Sequence, residues 1–319
     1  MSDVLGGSGS RVNAVARLDV LGRRLVRVSR GVWLPDGIAE HQPARLAALL
    51  AVLPPGSVVS GITAAELYGL WVPRSSHVDI TVPAGSQPTA LAAIPRRRGV
   101  VAHRRHLPEK DVVSLVGVRA TSLVRTWCDL AAVLDLPDLV AAGDSALRIG
   151  AVRIEELAAE VAVGRRRRGS PIARLAVTML DDRSRSRPES HVRVALLRAG
   201  LPYPQVNMPV YDERGGWLAE PDLSYPEARL AIEYQGAVHA DPRQMRKDTA
   251  RQTDLQRCDW IVLCYTADQI FRHPELLAQD ATNALTRRAP HLLTRHPPPA
   301  RLPAGDQGGC VGQEINFPQ

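Results

Sequence analysis

The first apolar pattern along the chain has the two-residue period of strands. In RLVRVSRGVWL (24–34), Val26 and Val28 share one face while Leu25, Arg27 and Ser29 take the other. This alternation predicts a short hairpin turning near Ser29–Gly31 and ended by Pro35–Asp36–Gly37. The period then lengthens. Leu46, Leu49, Leu50 and Leu53 stand at helical spacing and predict a helix over 41–53. A second helix is predicted over 63–70, capped near Thr63. Residues 78–82 (VDITV) alternate like a half-buried strand, and 100–103 read as another. From Thr121 the pattern is helical again. Thr121 or Ser122 supplies the cap, and Leu123, Trp127, Leu130 and Leu134 recur on one face. Further helices are predicted over 137–148, stopping at Gly150, and over 154–163.

The pattern changes beyond residue 185. A helix over 189–198 ends at Gly200. Strand-like QVNMPVY (205–211) meets a turn at Asp212–Gly216 and returns as 217–222. Pro226 breaks the chain, 229–234 gives a third strand, and a polar helix follows over about 242–257. WIVLCY (260–265) reads as a buried strand, and Thr266 starts a last helix. The order α-β-β-β-α-β-α describes an α/β unit with a mixed sheet flanked by helices. Residues 1–10 are Gly/Ser-rich and the tail over 291–319 is Pro/Gly-rich, so both are expected to be disordered.

Composition narrows this picture modestly. A chain of 319 residues has room for two domains. Apolar residues at 45% and charged residues at 23% suit a soluble globular protein, and aromatics at 4% leave aliphatic side chains to fill the cores. No apolar run reaches the ~18–20 residues of a membrane span. The start MSDVLGGSGS lacks the basic-then-apolar order of a signal peptide, so a cytoplasmic protein is expected. Cys128, Cys258, Cys264 and Cys310 include no CxxC pair and match no zinc site. A net charge of +7 favours polyanionic partners. The run GRRRRG (164–169) is either a solvated linker or a patch for phosphates, and charge density alone does not separate the two.

The candidate chemistry lies in the second region. Asp222 follows Pro221 at the end of one expected strand, and Glu233 and Gln235 sit on the next. Strand alternation places Glu233 and Gln235 on one face and Leu230, Ile232 and Tyr234 on the other. A carboxylate inside an apolar strand is costly unless compensated. A divalent cation compensates it, because Mg²⁺ takes hard oxygen ligands and keeps several waters. Such an ion polarises a phosphoryl oxygen and acidifies a bound water. Lys247 and Arg251 lie four apart on the expected helix, where they share a face that would steady a phosphate. The alternative is an Asp in a turn and a Glu paired with a nearby Arg.

Glu189, Pro221–Asp222 and Glu233–Tyr234–Gln235–Gly236 resemble the PD-(D/E)XK nuclease superfamily, in its branch similar to very-short-patch-repair endonucleases. The stretch EYQGAVH (233–239), with Asp248, Arg251, Leu255 and Trp260–Val262, fits the layout of that branch. The resemblance covers 185–290 and implies a restriction-endonuclease-like mixed sheet. It implies Mg²⁺, or Mn²⁺, held by Asp222, Glu233 and Gln235, with Glu189 supporting the metal or its water. It implies that His239 touches the metal, the water or the leaving group. In one respect the chain departs from the superfamily: Gln235 stands where a Lys is usual and where this branch often has Asp. A neutral amide supplies an oxygen ligand but no charge.

The N-terminal part resembles regulators of the AbiEi type, antitoxins of abortive-infection systems. The likeness rests on GVWLP (31–35), SVVSGITAAELYGLW (57–71), VDITVP (78–83) and VRATSLVRTWCDLA (118–131). It implies a winged helix-turn-helix followed by an α/β domain. Only some twenty residues precede the hairpin, so 11–36 are expected as a truncated, degenerate winged helix. Arg23, Arg24, Arg27 and Arg30 would touch phosphates through its wing or simply face solvent. The α/β domain is expected over 37–165, with a helix and linker over 166–184. Thr63 and the Thr121–Ser122–Arg125 group read as caps and core-edge contacts. The expected function is a Mg²⁺-dependent DNA endonuclease. Two alternatives stand beside it: a non-catalytic DNA-binding regulator, and an antitoxin that neutralises a cognate toxin protein.

Overall fold

The computed structural model describes residues 19, 21–84, 97–164, 167–236 and 252–294. The chain is a mixed α/β protein that divides into two compact units at residues 182 and 183.

In the first unit, β1 (Leu25–Ser29) and β2 (Val32–Pro35) form the expected antiparallel hairpin. Arg97 holds its turn by donating to the carbonyl of Arg30 at 2.6 Å and to that of Val52 at 3.4 Å. The short α1 (Asp36–Ala39) leads into α2 (Gln42–Leu50). Next come β3 (Val58–Val59), α3 (Gly61–Leu67), β4 (Val78–Pro83), β5 (Val100–Arg105), β6 (Val112–Leu115) and β7 (Val118–Thr121). The five strands pair in the order β5-β4-β3-β7-β6, with β4/β5 and β3/β7 parallel and the other pairs antiparallel. Leu46 of α2 and Ala64 of α3 pack with Val59, Ile80, Val118 and Ala120, so the sheet is built around small and β-branched side chains.

The helices α4 (Leu123–Leu130), α5 (Leu136–Arg148), α6 (Ile154–Val163) and α7 (Ser170–Val177) complete this unit. Ser122 caps α4, accepting from the N–H of Arg125 at 3.3 Å. Trp127 is fully buried, and its indole N–H donates to the carbonyl of Leu139 at 3.0 Å. Gly169 precedes α7 at φ 81°, and a Cβ there would lie 2.1 Å from the carbonyl oxygen of Ala131, so only glycine fits. The helix expected within 166–184 is α7, whose Ala173 and Ala176 are buried.

The second unit begins with α8 (Arg187–Arg198). Its strands are β8 (Gln205–Val206), β9 (Val210–Tyr211), β10 (Trp217–Ala219), β11 (Leu223–Tyr225), β12 (Leu230–Gln235) and β13 (Ile261–Thr266). Residues 252–257 are helical and are labelled α9. They are followed by α10 (Ala267–Arg272), α11 (Pro274–Arg288) and α12 (Pro290–Thr294). A four-stranded sheet runs β13-β12-β11-β8, parallel only between β12 and β13, and β9 pairs with β10 separately. One sheet face packs Leu223, Leu230 and Ile232 against Val192 and Leu196 of α8 and Leu277, Ala281 and Leu285 of α11. The opposite face packs Ala231 with Val210, Ala219, Leu255 and Trp260.

Several expectations are corrected. The strand expected over 205–211 is two short strands, because Asn207 adopts φ 46° and Pro209 cannot donate to a ladder. The strand expected over 217–222 ends at Ala219, and Asp222 precedes β11 rather than closing β10. The second helix starts at Gly61 with Ser60 before it; Thr63 does not cap it, and its hydroxyl accepts from the N–H of Asp79 at 2.9 Å. The final helix is broken at His273–Pro274. The end regions expected to be disordered lie outside the described residues.

Candidate functional site

The antiparallel pairing of β11 and β12 sets Leu223 opposite Ile232 and Ser224 opposite Ala231. Continuing that register by one residue sets Asp222 opposite Glu233. Leu223 and Ile232 both enter the core against α8 and α11, so strand alternation turns Asp222 and Glu233 to the other face. Asp222 is half-buried, and its carboxylate accepts from the backbone N–H of Tyr234 at 2.8 Å. Glu233 is 5% exposed. On the far side, Glu233 is level with Cys264 of β13, whose Sγ accepts from the side-chain amide of Gln252 in α9 at 3.3 Å. Gln235, two residues on, is exposed at the end of the strand beside Thr266.

Glu189 occupies a different environment. Ser186 caps α8, and its hydroxyl donates to Glu189 Oε1 at 2.8 Å. Glu189 Oε2 accepts from the N–H of Arg185 at 2.8 Å and from the side-chain amide of Asn207 at 2.7 Å. The bonds from Ser186 and Arg185 satisfy donors at the helix start, as a carboxylate in the first turn does elsewhere, and the bond from Asn207 reaches across from the turn after β8. Among the described residues, no three His, Cys, Asp or Glu side chains converge as a metal-ligand group. The Glu189 carboxylate thus meets hydrogen-bond donors of Arg185, Ser186 and Asn207.

Two residues were missed in the sequence. Asn207 joins the two parts of the site: its amide donates to Glu189 and to the carbonyl of Arg183 at 2.9 Å, and its own N–H donates to the carbonyl of Asp222 at 2.9 Å. An Asn between a strand-like pair and a Met–Pro is a signal for a left-handed residue, which Asn tolerates better than most. Ser224 lies two residues beyond Asp222 on the same face, fully buried, with its hydroxyl unpartnered among the described residues. A serine in an apolar strand was its only signal. Arg185 pairs with Glu220 just before Pro221.

His239, Lys247 and Arg251 lie outside the described residues, as do Arg165 and Arg166. Arg167 pairs with Glu160 at 2.6 Å, so this member of the arginine run is engaged within its own unit. In the N-terminal hairpin, Arg23 pairs with Asp19 at 2.6 Å and Arg27 lies over the Trp33 ring at 6.0 Å. No helix among the described residues is long and apolar enough to cross a membrane.

The described residues thus define a two-unit α/β protein whose four-stranded sheet carries Glu233 on β12, with Asp222 just before the neighbouring β11. The chain belongs to one family with the uncharacterized proteins MT2308 and Rv2248 of Mycobacterium tuberculosis, from strains CDC 1551 / Oshkosh and ATCC 25618 / H37Rv. Each is 32% identical over 268 residues, which cover 82% of this chain and 93% of the relative. No protein-family model matches the chain, and no solved structure matches it.

Proposed function

We propose that the second unit is a restriction-endonuclease-like module that acts on DNA, with Asp222 and Glu233 holding a divalent cation. The observation that carries this reading is the register of β11 and β12, which pairs Leu223 with Ile232 and, continued by one residue, brings Asp222 level with Glu233. Directly opposed side chains have Cβ atoms about 4.5–5.5 Å apart, where like charges repel. A cation between them offsets that repulsion. The donor set fits Mg²⁺ or Mn²⁺, being hard oxygens throughout: two carboxylates, the buried Ser224 hydroxyl and the Gln235 amide. When bound, the ion would polarise a phosphoryl oxygen and acidify a water. The chain's own part is orientation. The N–H of Tyr234 fixes one oxygen of Asp222, and Asn207 ties the backbone of Asp222 to the start of α8 through Glu189. The net charge of +7 favours a polyanionic substrate.

The test is cleavage of supercoiled plasmid by the full chain with Mg²⁺ or Mn²⁺. Wild type nicks or linearises the DNA, and Glu233→Gln and Asp222→Asn do not. Equal behaviour of all three proteins overturns the reading.

A second reading, DNA binding without hydrolysis, is favoured by Gln235. It brings no positive charge to the place where the resemblance expects a lysine. This reading predicts salt-sensitive DNA binding by all three proteins and cleavage by none.

A further inference from the structure

The first unit holds a cavity of about 300 Å³, bounded by β1, α2, α3, the 75–78 segment and the start of β5. That volume is at the lower end for small-molecule sites, enough for a metabolite but not for a dinucleotide or an acyl chain. Its walls combine two kinds of surface. Leu46, Leu49 and Val100 supply apolar contact. Glu66, His77, Arg45 and Arg98 supply charge and polarity.

The acidic side is fixed in place. The Glu66 carboxylate is half-buried; it accepts a long bond from the N–H of Ser75 at 3.4 Å and a further bond from the side chain of Gln42. Its pKa is raised, first by burial, with the negative charge of Asp79 adding to the effect. Asp79 is itself tied down. Its Oδ1 meets Nε2 of His77 and of His103, each at 3.3 Å, and its Oδ2 accepts from the N–H of Ile62 at 3.1 Å. His77 is thereby oriented by Asp79 while it lines the cavity.

The basic side is of another kind. Arg45 and Arg98 are exposed, and among the described residues neither guanidinium has an ion-pair partner. Most arginines packed in this unit are engaged: Arg97 by backbone carbonyls, Arg105 by Asp129, Arg125 by Asp111 and Asp129. Two unpaired guanidiniums on one cavity suit a carboxylate or phosphate, which accepts their forked donors.

We propose that this cavity binds a small ligand joining a hydrogen-bond-donating head to an anionic tail, the head on Glu66 and the tail on Arg45 and Arg98. α-Amino acids and nucleoside monophosphates share that chemistry. All of its lining residues belong to the first unit.

Isothermal titration of the full chain tests it, using the twenty amino acids, the ribo- and deoxyribonucleoside monophosphates, and inorganic phosphate. One organic class binds with 1:1 stoichiometry. Its affinity falls at least tenfold in Glu66→Gln and in the double variant Arg45→Ala, Arg98→Ala. These changes lie at the cavity wall, and circular dichroism with thermal melting checks that both variants stay folded. Absence of binding by both classes at millimolar concentration and low salt overturns the proposal. So does binding unchanged in the folded variants, or inorganic phosphate binding as tightly as the organic ligands.

Discussion

The side-chain amide of Asn207 donates to the Glu189 carboxylate at 2.7 Å, linking the start of α8 to the turn between β8 and β9. Through its own N–H, Asn207 also holds the carbonyl of Asp222. One residue thus ties the start of α8 to the segment that carries Asp222. Glu189 is joined to the backbone of Asp222 through this bridge.

Asn207 is 8% exposed and sits at φ 46°. Asn207→Ala removes the amide and places a Cβ residue of poor left-handed tolerance there. The expected loss is about 2–4 kcal/mol, from the orphaned carboxylate and the backbone together. Asn207→Gly keeps the conformation and loses only the amide, so it is expected to be the milder change. Urea denaturation compares the two. Equal losses would show that the backbone conformation contributes nothing.

Arg125 is 6% exposed, with Asp111 at 2.8 Å and Asp129 at 3.0 Å from its guanidinium. Arg105 reaches the same Asp129 oxygen at 2.8 Å. Arg125→Met strands Asp111 without its partner in the interior and is expected to cost about 3–5 kcal/mol. Arg125→Lys recovers little, because an ammonium cannot fork between two carboxylates. Chemical denaturation of both variants measures this, and full rescue by lysine would contradict it.

The secondary structure was largely legible because long amphipathic segments announce themselves. The hairpin at 25–35, α5, α6 and α8 carry clear periods and end at turn or breaker residues. The strands β3, β6 and β7 were not read, because two to four residues are too few to show a period. The shared face of Glu233 with Gln235 followed from alternation alone. The opposition of Asp222 and Glu233 did not, because strand register depends on pairing rather than on either segment. Asn207 and Ser224 were invisible as site residues for the same reason. The pair Arg125 and Asp111, fourteen residues apart, was hidden too; Arg125 read only as part of a capping group.

Burial raises the pKa of Glu66 in the folded chain above its ordinary value of 4.5. The protonated acid is therefore favoured by folding. Its contribution to stability is fully present below the ordinary carboxylate range and is lost as pH rises through the raised value. Glu66→Gln removes that dependence. The variant is expected to melt higher than wild type at neutral pH, with the gap closing as pH falls toward 4.5. Melting temperature against pH for the two proteins reads it directly, and a gap that widens on acidification would contradict it.

The carboxylate pair is tested most directly by Mn²⁺ binding to the full chain, followed by the loss of the free-ion electron paramagnetic resonance signal. Wild type should take up one ion, Asp222→Asn and Glu233→Gln should each weaken it at least tenfold, and Mg²⁺ should compete. Glu189→Gln, which keeps the cap of α8 largely intact, should retain the ion. Binding of Mn²⁺ that is undiminished when Asp222 and Glu233 are both neutralised would contradict the account.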